Sequence, residues 1–472
     1  MQYISTRGAA PVLAFDDALL AGLARDGGLY VPQSWPRFTA EDWRAMRGLA
    51  YAELVARVIR PFVGDAIDEA TLARLAREAY AGFDHRAVAP LKQLEPNLWL
   101  MELFHGPTLA FKDFALQLLG RLFDHVLARR GAHATIVGAT SGDTGSAAIE
   151  ACRDRDCLDI FMLHPHGRVS EVQRRQMTTV HSANVHNIAV DGSFDDCQDL
   201  LKGLFNDHEF RDRVGLTAVN SINWARIMVQ IAYYAHASLS LGAPDRPIAF
   251  AVPSGNFGNV YSAYAARAIG LPIDLLIVGS NSNDILTRFF DTGEMKIGQV
   301  QPTLSPSMDI QVSSNAERLL FDLYDRDGAA LDVAMRGFRA DGRLDVGEAR
   351  LKRARTLFAA ARLDDTQTKA VIAAEYKATG EILDPHTAIG LAAARAVPRP
   401  RDLPIVALGT AHPAKFPDAV EAAIGRRPAL PPRLADLMQR EERCMRLPND
   451  LDVVREFILA RATARDGKRS AA

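Results

Sequence analysis

From about residue 97 onward the chain keeps returning to one pattern: a short, almost uninterrupted apolar run, a small polar loop, then helical text. Apolar runs fall at residues 97–102, 134–138, 158–163, 187–190, 248–252, 274–278 and 403–408. Buried parallel strands read this way, because helices cover both faces of the sheet and no position has to be polar. Parallel neighbours need long crossovers, and residues 110–122, 146–152 and 169–179 carry the helical spacing to supply them. The implied fold class is α/β, with doubly wound open sheets and ligands at the carboxyl ends of strands.

A chain of 472 residues exceeds one ordinary core. The text divides into an N-terminal lobe over residues 1–90, a smaller α/β domain over 91–240 and a larger one over 241–472. Helical spacing in the lobe covers residues 40–63 and 68–83, while Leu29-Tyr30-Val31-Pro32 reads as an extended edge. Between residues 316 and 380 the strand signal vanishes into charge-rich helical text, a helical insertion. Residues 463–472 are small or charged and expected to fray.

One lysine stands out. Lys112 follows the turn Gly106-Pro107 and sits among Phe111, Phe114 and Ala115, on the first turn of the helix read over residues 110–122. A helix N-terminus repels an ammonium, and apolar neighbours disfavour it further, so both effects favour the free amine as a nucleophile. The chemistry suggested is an imine with an aldehyde cofactor, pyridoxal phosphate. The same residues also suit a surface lysine with its stem on Phe111 and its charge against Asp113.

Three strand ends finish in small polar residues. Ala139-Thr140-Ser141-Gly142-Asp143-Thr144-Gly145 leads into a helix, a ready place for a carboxylate or phosphate, or merely a capped turn. Ser254-Gly255-Asn256-Phe257-Gly258-Asn259 is neither of the two common nucleotide loops, yet its glycines would let backbone amides close round one phosphate. The run at 403–408 delivers Thr410, whose hydroxyl could meet a heteroaromatic nitrogen or simply end a strand. Asn220, Ser221, Asn223 and Arg226 crowd amides, a hydroxyl and a guanidinium, which suits a phosphate dianion or a helix cap. Asp384-Pro385 is a helix start with Asp384 as N-cap, which needs no function.

Charge assigns no macromolecular partner. A formal net charge of -2 with 48% apolar residues describes neither a nucleic-acid binder nor a polybasic membrane binder. Residues 1–8 lack a signal-peptide pattern and no run is long and apolar enough for a span, so a cytoplasmic protein is expected. The cysteines (Cys152, Cys157, Cys197, Cys444) form no CxxC pair, and His164, His166, His181 and His186 lack partners that would complete a metal site. No metal is expected.

Taken together, these segments resemble threonine synthase, a pyridoxal-phosphate enzyme family sharing its fold with the tryptophan synthase β chain. The resemblance rests on Tyr3-Ile4-Ser5-Thr6-Arg7-Gly8, on Asp26-Gly27-Gly28-Leu29-Tyr30-Val31-Pro32, on Phe104-His105-Gly106-Pro107-Thr108-Leu109-Ala110-Phe111-Lys112-Asp113 and on Gly409-Thr410-Ala411-His412-Pro413. It covers nearly the whole chain, in order. It implies two open-sheet domains with the cofactor in the cleft between them, Lys112 in the internal imine, and Gly255, Asn256, Phe257, Gly258 and Asn259 round the cofactor phosphate. Thr410 would face the pyridine nitrogen. Ser141, Gly142, Asp143 and Thr144 would hold the substrate carboxylate or the cofactor ring hydroxyl, Thr108 would bind substrate, and Asn220, Ser221, Asn223 and Arg226 its phosphate. The implied reaction converts O-phospho-L-homoserine and water to L-threonine and phosphate, by γ-elimination and β-hydration, in a monomer rather than an obligate oligomer. Two other readings fit the same residues: a phospholyase ending in 2-oxobutyrate, and a binding protein that kept the fold and lost catalysis.

Overall fold

The computed structural model describes residues 1–463. Its contacts divide the chain into two units, one built from Met1–Ala18, Leu23–Phe111 and Ser221–Pro428, the other from Leu19–Gly22, Lys112–Asn220 and the residues from Ala429 on.

The first unit is organised on a six-stranded sheet in the order Phe358–Arg362, Ile273–Ser280, Ile248–Pro253, Ile405–Gly409, Leu98–Glu102, Leu91–Glu95. All neighbours are parallel except the last pair. Ala249, Ala251, Ile277, Ile405 and Ala407 are fully buried, which is why these strands carry no alternation. Helix Pro385–Ala396 packs on them through small residues; a Cβ on Gly390 would lie 2.8 Å from Pro253 Cδ. Asp384 caps this helix, accepting from the His386 and Thr387 N–H groups with Pro385 at the first helical position, as the sequence indicates.

Strand order reverses at Ile248–Pro253. From it the chain steps one way to Ile273–Ser280 and Phe358–Arg362, while Ile405–Gly409 lies on the other side. Such a switch point is where open α/β sheets bind ligands, and the loop leaving it is Gly255 to Asn259.

The front section adds a small antiparallel sheet of Leu13–Ala14, Gln2–Ser5 and Tyr30–Pro32 and a pair of packed helices, Tyr51–Val63 and Glu69–Tyr80. The single helix expected over residues 40–63 is broken: Ala40–Ala45 stops, and Gly48 takes φ 76° before Tyr51 restarts. Left-handed φ at a glycine ends helices cheaply.

The second unit holds a five-stranded, wholly parallel sheet in the order Met445–Pro448, Val185–Asp191, Leu158–Pro165, Ala134–Ala139, Leu216–Thr217. Val137, Phe161, Leu163, Ile188 and Val190 form its core with Val454 and Ile458. Here the switch point is Ala134–Ala139, the strand that feeds Ser141 to Thr144. Helices Lys112–Arg130 and Asp143–Cys152 pack so closely that a Cβ on Gly120 would lie 2.3 Å from the Ala151 carbonyl oxygen. That crossing demands glycine.

Two expectations need correction. The insertion at residues 316–380 is not purely helical: Phe358–Arg362 is an edge strand of the six-stranded sheet, and Arg343–Asp345 pairs with Glu294–Lys296. Phe358-Ala359-Ala360-Ala361-Arg362 is alanine-rich, helix-prone text that tertiary pairing turns into a strand. The contact units also do not follow divisions at residues 90 and 240. Leu91–Glu95 and Leu98–Glu102 pair in the first unit's sheet, and helix Trp224–Ser240 clusters with that unit. Of the tail expected to fray, Thr463 donates its N–H to Asp159 Oδ2 at 2.7 Å, and residues 464–472 lie outside the described residues. Among the described residues no helix is long and apolar enough to cross a membrane.

Candidate active site

In the second unit, Lys112 is the first residue of helix Lys112–Arg130 and is buried. Its approach is unusual. Leu109 takes φ 63°, Ala110 bridges Ala411, and Phe111 donates its N–H to the Thr410 carbonyl at 2.9 Å. A left-handed leucine is a strained backbone, kept where the surroundings over-determine it. Lys112 Nζ stands 3.7 Å from Asp143 Oδ2, and the Asp143 side chain is only 5% exposed. The contact sets a carboxylate against the lysine inside a buried region.

The loop holding Asp143 is internally braced. Thr140 Oγ1 accepts from the Gly142 N–H at 3.0 Å and the Gly145 N–H at 2.9 Å. Gln173 Nε2 donates to Asp143 Oδ1 at 2.8 Å. Gly142 takes φ 146°, where a Cβ would lie 2.4 Å from Gln173 Cδ. Gly142→Ala is therefore expected to push Gln173 off Asp143, costing about 1–3 kcal/mol of stability and lowering turnover; a thermal-denaturation midpoint equal to wild type would contradict this. Of the rest of this loop, Ser141 is exposed and Thr144 is half-buried; in the same unit Asn220, expected with Arg226 at the substrate phosphate, is exposed. Thr140 and Gln173 were not singled out by the sequence, since support behind a loop has no motif of its own.

The first unit carries the remaining candidates. Phe257 takes φ 62° and stands at the N-cap of helix Gly258–Ala268 without any side-chain cap, leaving the first N–H groups of that helix for an anion. Ser313 Oγ donates to the Gly255 carbonyl at 2.8 Å, and the Asn315 N–H to the Asn256 carbonyl at 3.1 Å. A Cβ on Gly255 would meet Met308 Cα at 3.0 Å, so the backbone at Met308 leaves no room for a side chain there without a shift. Asn259 Oδ1 accepts from both Tyr233 Oη and Tyr234 Oη, at 2.5 and 2.7 Å. Burial pushes both phenols well above their ordinary range, so they remain donors.

Thr410 follows the adjacent parallel strand, Ile405–Gly409, so it and the glycine loop leave neighbouring carboxyl ends. It is buried, and its N–H donates to Thr387 Oγ1 at 3.2 Å. Thr387 Oγ1 in turn donates to Asp384, so the helix cap at Asp384 also braces Thr410. Thr108 is buried, with its carbonyl accepting from Lys415 Nζ at 2.7 Å.

Asn223 caps helix Trp224–Ser240, accepting from the Ala225 N–H at 3.0 Å, and Arg226 lies on its first turn. Arg226 is 3% exposed, and burial drags its guanidinium down to about 10. It stays charged at neutral pH. Burial and the helix dipole both disfavour a cation in that position. The start of this helix lies beside the glycine loop, since a Cβ on Gly258 would fall 3.5 Å from Ile227 Cδ1. Ser221 is half-buried.

Within the first unit, a glycine loop at an uncapped helix start and a threonine on the neighbouring strand end suit a group that carries a phosphate; within the second, a buried lysine opening a helix suits an aldehyde.

Comparison with known proteins agrees. Residues 2–80 match the family model described as threonine synthase N terminus, residues 84–336 that of pyridoxal-phosphate dependent enzymes, and residues 387–458 that of threonine synthase, C-terminal. The threonine synthase of Pseudomonas aeruginosa is 59% identical over 459 residues, covering 97% of this chain and 98% of the relative. The crystal structure of pyridoxal-phosphate-bound threonine synthase from Brucella melitensis superposes with a TM-score of 0.96 at 55% identity, covering 98% of this chain and 99% of that one. The yeast threonine synthase structure follows at 0.92 and 37%, covering 98% of each chain. This chain belongs to the threonine synthase family, with pyridoxal phosphate as its cofactor.

Proposed function

We propose that this protein converts O-phospho-L-homoserine and water into L-threonine and inorganic phosphate, with Lys112 as the proton carrier. The observation that carries the substrate assignment is Arg226: a guanidinium buried on the first turn of a helix, additional to the glycine loop that serves the cofactor.

Bound pyridoxal phosphate supplies an electron sink conjugated to the substrate α carbon. Gly255, Asn256, Phe257, Gly258 and Asn259 would hold its phosphate through backbone N–H groups, and Lys112 its aldehyde carbon. Thr410 would offer the ring nitrogen a neutral hydroxyl, which leaves that nitrogen largely unprotonated. Ser141, Gly142, Asp143 and Thr144, with Thr108, orient the substrate carboxylate. Lys112 Nζ, freed when substrate binds, takes the α proton and then a β proton, and the Asp143 carboxylate stabilises each protonated state. Arg226, Asn223, Ser221 and Asn220 receive the substrate phosphate and stabilise it as it leaves the γ carbon. Water then adds at the β carbon. The cytoplasmic and monomeric readings belong to the same proposal.

The test is product identification after incubation with O-phospho-L-homoserine. Threonine and phosphate in equal amounts are expected. Phosphate with 2-oxobutyrate and ammonia would keep the site and replace the function by the phospholyase reading, and no turnover would favour the binding-protein reading.

A further inference from the structure

Asn315 precedes helix Ala316–Leu323, immediately before the stretch that the sequence presents only as charge-rich helical text. It is fully buried, and its two amide atoms can be told apart on chemical grounds. Arg318 Nη1 donates to one of them, and a guanidinium has no acceptor, so that atom is the carbonyl oxygen Oδ1. The amide nitrogen Nδ2 faces the other way, 3.2 Å from the position of a Cβ on Gly258. It has no hydrogen-bond partner, and a buried amide nitrogen is seldom left so. Its own backbone is pinned to the same loop, through the N–H donated to the Asn256 carbonyl at 3.1 Å.

Arg318 explains why the amide keeps one orientation. Its guanidinium is fully buried, with Nε and Nη2 donating to the Tyr30 carbonyl at 3.2 and 3.1 Å and Nη2 to the Ile222 carbonyl at 2.6 Å. These anchors leave Nη1 a single direction, toward Asn315 Oδ1. An amide flip would set nitrogen against nitrogen.

We propose that Asn315 Nδ2 is a further donor to the phosphate held at the uncapped start of helix Gly258–Ala268, and that Arg318 is the positioning residue that keeps this amide turned toward it. The proposal rests on the reading that Gly255 to Asn259 hold the cofactor phosphate. Two independent features meet there: a helix start lacking a side-chain cap, and a buried, unpartnered amide nitrogen against its first residue.

The experiment titrates the full-length protein, stripped of cofactor, with pyridoxal 5′-phosphate and with pyridoxal, which lacks the phosphate, following cofactor absorbance. Asn315→Ala is expected to weaken pyridoxal phosphate by about 10- to 100-fold while pyridoxal changes by less than about twofold. Asn315→Asp keeps the shape, replaces the donor by a negative charge, and is expected to lose more. Arg318→Met frees the amide to rotate and is expected to give a smaller loss of the same phosphate-specific kind. Equal losses for both ligands, or none, would overturn the proposal. Gly255→Val, which crowds Met308, distorts the loop whatever Asn315 does. A phosphate-specific loss in Gly255→Val alone would overturn the role of Asn315 only. Its absence from every variant would overturn the loop assignment itself.

Discussion

Replacing Lys112 by alanine is expected to lower kcat/KM for O-phospho-L-homoserine by about 10,000-fold, the upper range for loss of a positioned proton carrier. The effect would be large because, in the proposed mechanism, one side chain serves twice: it would hold the cofactor carbon and then move protons at adjacent substrate carbons. The fold should survive, since Gln173 continues to hold Asp143 in place when the lysine is gone. Lys112→Arg separates charge from chemistry. It keeps a cation near Asp143, 3.7 Å from the native amine, but offers no usable nucleophile, so it should be as inactive as alanine. Steady-state rates checked beside cofactor absorbance give the answer; a Lys112→Arg enzyme within about tenfold of wild type would remove Lys112 from the centre of this account.

Arg226→Met is the second large effect, with kcat/KM falling by about 1,000-fold, as for loss of a donor that meets charge developing in the transition state. Both kcat and KM should change, because the same guanidinium would bind the phosphate in the substrate and stabilise it as it departs. Arg226→Lys restores charge without the planar fork, and should recover part of the loss but not all. A thermal-denaturation midpoint measured beside the rates separates loss of folded protein from loss of turnover in this buried position. Unchanged KM in Arg226→Met would contradict the assignment of the substrate phosphate to this helix start.

Much of the architecture is legible in the sequence because a buried parallel strand has to be short, apolar and followed by a loop. The runs at 134–138, 158–163 and 248–252 appear as Ala134–Ala139, Leu158–Pro165 and Ile248–Pro253. The loops that leave two of these strands are the ones carrying candidate residues, since a switch point in strand order opens a crevice there. Illegible were the pairings made at long range. Met445–Pro448 joins Val185–Asp191 across more than half the chain, and nothing local in Met445-Arg446-Leu447-Pro448 names that partner. Phe358–Arg362 is strand by virtue of its neighbour alone.

The candidate site divides in the same way. Lys112, Thr410 and the glycines at 142, 255 and 258 announce themselves through a conformation or a chemistry that few residues can supply. Thr140, Gln173, Asn315 and Arg318 do not, although they fix the Asp143 loop and the Asn256 carbonyl. Their importance comes from the atom each one faces, and facing is a property of the folded chain. The buried pair Arg7–Glu317 belongs with them: Arg7 stands in a motif legible from the start, but its partner, 3.0 Å away, lies in text that reads only as charge-rich helix.

The measurement that bears most directly on the central claim is turnover of O-phospho-L-homoserine in water enriched with oxygen-18, with both products analysed by mass spectrometry. Elimination at the γ carbon followed by water addition at the β carbon predicts threonine carrying one heavy oxygen in its hydroxyl and phosphate carrying none. Heavy oxygen in the phosphate, with homoserine as the other product, would mean attack at phosphorus and would contradict the account.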